Sequence, residues 1–202
     1  DLRPGEGKLV GLMFLYYLLV LFAYYILKPV ARALFLNRFD ADKLPWLYIL
    51  MALLGGTGAS WISRAATRAR LTAVIGKTQI FLLSNILLLW WLLQYPSKAL
   101  LYAFSVWVGT FSVVTVGQFW LFANNLFDSR QARRLFSLIG LAAVLGGISG
   151  GTFTSLVVRV IGARHLMLVC GLLVAATWVV VRGLRPHCLL YTSPSPRDRT
   201  RS

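Results

Sequence analysis

Lys28 closes an apolar run and lies four positions after Tyr24, which follows Tyr17 by seven, so the three share one helical stripe. Pro29 comes next, removes a backbone donor and frees the carbonyl near Tyr25, so a kink or helix end is expected there. Arg32, Arg38 and Lys43 follow within the same loop region. A cation beside two phenols at a broken helix end suits the mouth of an anion site. It also suits an aromatic belt with a snorkelling lysine, and for Lys28 both readings stand. A belt accounts poorly for Tyr16 and Tyr17, which lie mid-run, whereas Arg38 and Lys43 read as plain loop charges.

A second polar group lies inside another apolar run. Thr115, Gln118 and Asn125 interrupt it, the last two seven residues apart on one face and flanked by Trp120 and Asn124. Polar side chains in hydrocarbon face a bundle interior or a wet cavity. Interhelical hydrogen bonding is the commoner use, and a cavity wall is the other. Arg133 and Arg134 lie in the polar turn that follows, where they serve as anchors or as a gate.

The elements that position these residues are membrane helices. The chain is 58% hydrophobic and 13% charged, with a mean hydropathy of +0.71, far from the roughly 25% charged of soluble domains. Six stretches approach the ~20 residues that span hydrocarbon: 9–27, 45–63, 78–97, 99–127, 135–158 and 166–181. The net charge of +15 lies between these runs rather than on one patch, so it argues for membrane loops and against nucleic acid.

Counting Lys and Arg in alternate loops sets the orientation. The set with the N-terminus holds Arg3, Lys8, Arg64, Arg68, Arg70, Lys77, Arg130, Arg133, Arg134, Arg182 and Arg185; the other holds only Lys28, Arg32, Arg38, Lys43, Lys98, Arg159 and Arg164. The N-terminus is therefore expected in the cytoplasm, with Lys28 and Arg32 on the side where basic residues are disfavoured.

Little here supports catalysis. Six acidic residues leave almost no material for paired carboxylates, and Cys170, Cys188, His165 and His187 have no metal-ligand spacing. No enzyme, metal or cofactor is expected. "GGTGAS" at 55–60 and "GLAAVLGGISGG" at 140–151, with Gly146 to Gly150 and Gly147 to Gly151 as small-residue pairs, mark close helix packing rather than a phosphate loop. "ARALF" at 31–35 echoes "ARRLF" at 132–136, which fits runs one and four as equivalents in a three-plus-three inverted repeat.

Residues 1–8 read as a cytoplasmic remnant, 9–186 as the helical unit and 187–202 as a tail. The end, "CLLYTSPSPRD", resembles a translated sequencing adapter and is set aside from fold reasoning. The natural chain is then expected to continue past His187.

"AYYILKPVARALFL", "LPWLYILMALLGG" and "FWLFANNLFDSRQARRLFSLIGLAAVLGGISGG" together resemble the bacterial ATP:ADP antiporter family, a branch of the major facilitator superfamily. The resemblance covers about residues 10–186 and implies an all-α, polytopic fold of six transmembrane helices, one half of a twelve-helix carrier in the inner membrane. It implies exchange of nucleotides or other phosphorylated anions by alternating access, with a C-terminal half as partner. Lys28 occupies the place of a polyanion-binding residue, with Arg32, Tyr24, Gln118 and Asn125 as companions. Two departures are Ala33 after Arg32, where relatives often carry an acid, and the absence of an acidic partner in "SRAATRAR" at 63–70. The rivals are a carrier for another solute and a non-transporting scaffold. A cationic solute is disfavoured by the lack of intramembrane Asp or Glu.

Overall fold

Residues 6–68, 71–126 and 129–191 are described by the structure, a computed structural model, and side-chain surroundings are described for 7–67, 71–126 and 136–184. Sequences apolar on every face bury poorly in water but satisfy their backbone internally in lipid as helices, and the described residues form helices joined by short turns. The helices are α1 (Glu6–Leu36), α2 (Leu44–Arg68), α3 (Leu71–Leu92), α4 (Lys98–Leu126) and α5 (Ser129–Tyr191), with a single 3-10 turn, Ala41–Lys43, between the first two. Five helices are long and apolar enough to cross a membrane.

The first departure from expectation is at Pro29. It lies inside α1, which runs on to Leu36 rather than ending. Membrane helices tolerate such a proline when neighbours support the segment beyond it. Here Phe35, fully buried, packs with Leu47 of α2 and Val106 of α4, and Ser105 Oγ lies 3.5 Å from the Ala31 carbonyl oxygen. Lys28 therefore sits within a continuous helix, not at a broken end.

The second departure is at the far end, where the fifth and sixth apolar runs lie in one element, α5, of 63 residues. A straight helix of that length would measure about 95 Å. Gly162 interrupts it, with φ 78° and ψ 156°, backbone angles that belong essentially to glycine. Ile139 and Ala142, before this point, share an apolar cluster with Val181 and Leu184, after it. The chain therefore folds back at Gly162, so that both arms reach the same apolar cluster.

Small residues set the closest approaches. A methyl on Gly146 would lie 2.7 Å from the Leu18 carbonyl oxygen, and one on Gly150 would lie 2.7 Å from that of Phe22, so α5 meets α1 backbone to backbone. Gly55 makes the corresponding approach of α2 to α4, where an added methyl would lie 3.0 Å from Val113.

That correspondence is general. The interval from Leu9 to Leu101 recurs from Met13 to Ser105, Ile26 to Gln118, Leu47 to Ile139, Ile62 to Thr154, Val74 to Leu166 and Leu82 to Val174, and every member of these pairs is buried. The burial pattern of α1–α3 thus recurs at one fixed interval along α4 and α5. In this register Ala31 pairs with Ala123, so the echo between 31–35 and 132–136 is not the structural equivalence.

Candidate functional site

Lys28, Arg32 and Tyr24 come together, as their spacing on α1 requires. They line a cavity of about 70 Å³ whose other walls are α2, through Leu47, Tyr48 and Met51, and α4, through Ser105, Val108 and Gly109. Lys28 Nζ lies 5.5 Å from the Tyr24 ring centroid and 5.4 Å from that of Tyr25, both within cation–π range. The two rings meet edge to face at 5.4 Å. Tyr25 is held from behind by α5, since a methyl on Gly150 would lie 2.9 Å from its Cβ. The glycine stripe therefore fixes the aromatic support under Lys28.

Arg32 Nη1 donates a hydrogen bond to the Tyr48 hydroxyl at 3.1 Å. The only salt bridge among the described residues is between Lys43 and Asp42, at 3.3 Å on the connecting turn. Lys28 and Arg32 thus offer two cations to one cavity without a described carboxylate to neutralise them. Such a pair favours an anion, through charge-assisted hydrogen bonds that Lys and Arg both donate.

Tyr17 does not join them. It is buried, and its ring stacks on Phe119 of α4 at 4.0 Å and 17°. The shared stripe brings Tyr24 to the cavity, while Tyr17 serves the core nearer the N-terminal end of α1.

The polar residues of α4 separate by role. Thr115 donates to the Phe111 carbonyl at 2.7 Å and Asn125 to the Leu121 carbonyl at 2.7 Å, so both bond within their own helix. Gln118 is 1% exposed, and neither atom of its carboxamide has a hydrogen-bond partner. It borders a second cavity, of about 260 Å³, with Ser63 of α2 and Asn124. The expected companion of Gln118 is replaced there by Asn124, and Asn125 is exposed. The side chains of Arg133 and Arg134 lie outside the described residues.

Sequence reasoning did not find Tyr48 or Tyr25 as partners of the two cations. Tyr48 reads as one aromatic in an interfacial "LPWLYIL", and only the packing of α2 on α1 reveals its contact. It also passed over Gln79, buried beside the equally buried Tyr16 hydroxyl. A glutamine two residues into an apolar run was the available signal.

Long apolar helices packed backbone-close through glycines define an integral membrane protein. The chain belongs to the TLC ATP/ADP transporter family, whose model matches residues 65–184. That family transports nucleotides, and the matched stretch includes Gln118 but not Lys28 or Arg32. No match to this chain was found among curated proteins or among solved structures.

Proposed function

We propose that the chain is a six-crossing unit of a facilitator-type carrier that exchanges ATP/ADP-like nucleotides by alternating access. The observation that carries the reading is the cavity at Lys28 and Arg32, two cations without a described carboxylate partner, in a member of an ATP/ADP transporter family. A nucleotide brings several negative charges, and paired Lys and Arg offset the cost of taking them from water. Tyr24 supplies the ring beside the phosphates, and Gln118 and Asn125 are candidate hydrogen bonders deeper along α4. Asn124 is the better placed of the two asparagines.

The repeat supports the six crossings. α1 meets the first arm of α5 at Gly146 and Gly150 as α4 meets α2 at Gly55, and the second arm meets α3 at Gly171. Secondary carriers are commonly built from such inverted three-helix units, with the solute at their interface. On this reading Gly162 turns the chain between the fifth and sixth crossings. The cavity at 24–48 opens to the outer side, Arg133 and Arg134 lie at the cytoplasmic side as anchors or gate, and a second six-helix unit completes the path.

The test is Lys28→Ala in the full-length protein. Uptake of labelled ATP into vesicles preloaded with ADP falls at least tenfold while the amount of protein in the membrane stays the same. Undiminished exchange would return Lys28 to an interfacial anchor.

A further inference from the structure

α2 and α4 also form a larger groove, of about 790 Å³, that shares no lining residue with the Lys28 cavity. Its walls include Leu50 and Leu54 of α2 and Ala103, Val106 and Trp107 of α4, and Lys98, the first residue of α4, stands at one end. The threonines that line it turn their hydroxyls back on their own helices. Thr57 donates to the Leu54 carbonyl and Thr110 to the Val106 carbonyl, each at 3.0 Å. These hydroxyls therefore ask nothing of an occupant, and the charge lies at the end of the groove.

Dimensions and charge together choose the occupant. From Lys98 to Thr110 the groove follows α4 for about 18 Å. One leaflet of hydrocarbon is about 15 Å deep, so the groove covers the depth of an acyl chain whose headgroup lies level with Lys98. Its mean cross-section is then roughly 45 Å², against the ~80–110 Å² of an α-helix with its side chains. A helix would ride over such a groove, while an extended hydrocarbon chain enters it. No carboxylate pairs with Lys98 among the described residues, and a lysine at the bilayer surface attracts anionic headgroups.

We propose that this groove holds an acyl chain of an anionic phospholipid, with the lipid phosphate on the Lys98 ammonium. The lipid packs against the same two helices that wall the Lys28 cavity, through different residues of each. It is bound as part of the membrane-embedded structure, whichever solute the carrier moves.

The experiment places the full-length protein in phosphatidylcholine nanodiscs with a small share of phosphatidylglycerol that carries a photoreactive diazirine on one acyl chain. Crosslinks are mapped by mass spectrometry. Label concentrates on the groove walls, at 50–58 and 103–110, and exceeds that on Val160 and Leu172, which are exposed outside the groove. Unlabelled phosphatidylglycerol competes, and glycerol 3-phosphate does not. In Lys98→Gln the competing concentration rises about fivefold, the worth of one lysine beside an anionic surface. Ala103→Trp, at an exposed position, fills the groove and removes its label while the thermal midpoint holds. Equal label on Leu172 and in the groove overturns the site, since ordinary boundary lipid gives that pattern. So does competition by glycerol 3-phosphate, which marks a bare phosphate site. An unlabelled groove in the wild type, which marks a covering helix, overturns it too, as does an unchanged Lys98→Gln.

Discussion

Lys28 owes its place to α1 and its surroundings to three other segments. Its position was legible in the sequence, because a lysine four residues after a tyrosine shares that residue's helical face. The hydrogen bond from Arg32 to Tyr48 was not legible, since it joins residues on different helices whose mutual rotation no local pattern encodes. That bond supports a graded expectation. Tyr48→Phe frees the Arg32 guanidinium without removing its charge, so exchange at limiting nucleotide falls roughly 3–10-fold, the usual worth of one hydrogen bond. Lys28→Ala costs more. A set of dose–response curves for the two variants orders them, and a larger loss in Tyr48→Phe would place the anion on Arg32 alone. Tyr17 shows the limit of stripe reasoning: seven residues before Tyr24, it reaches a different layer and stacks on Phe119.

Glycines decide how the elements meet. The "GG" pairs at 55–56 and 146–147 announced close packing, and the structure assigns their partners as α4 and α1 respectively. Gly150→Ala drives a methyl against the Phe22 carbonyl, a backbone atom that cannot rotate away, so destabilisation by about 1–3 kcal/mol is expected. Gly151→Ala meets nothing within 4 Å and leaves the midpoint unchanged. Thermal unfolding in detergent compares the pair, and equal midpoints would contradict the backbone contact. Gly162 was not singled out by the sequence, where one glycine between apolar runs looks like any loop residue. Its positive φ makes Gly162→Val unfavourable by about 1–3 kcal/mol although no atom stands in the way. The continuation of α1 past Pro29 was not legible for a related reason: proline's local cost is fixed, but the packing of Phe35 and Val30 that offsets it is tertiary.

At the scale of the molecule, the all-helical membrane class followed from composition alone, and the number of apolar runs anticipated the two arms of α5. The repeat was less legible, because its two units share a pattern of burial more than a pattern of letters. Ile26 and Gln118 occupy equivalent positions with opposite polarity, and the short sequence echo fell out of register. The proposed six crossings carry a topological expectation. Single cysteines at Lys43, Tyr95 and Val160, all exposed, label from the same face of the membrane with an impermeant maleimide, and a cysteine at Lys8 labels from the other. Labelling of position 160 from the face of position 8 would remove the turn at Gly162.

The nucleotide carrier reading is tested most directly by counter-exchange with the full-length protein in proteoliposomes. Labelled ADP enters vesicles loaded with unlabelled ATP, enters empty vesicles far more slowly, and is blocked by external ATP. Absence of labelled ADP uptake into loaded vesicles, with the protein correctly inserted, would contradict the account.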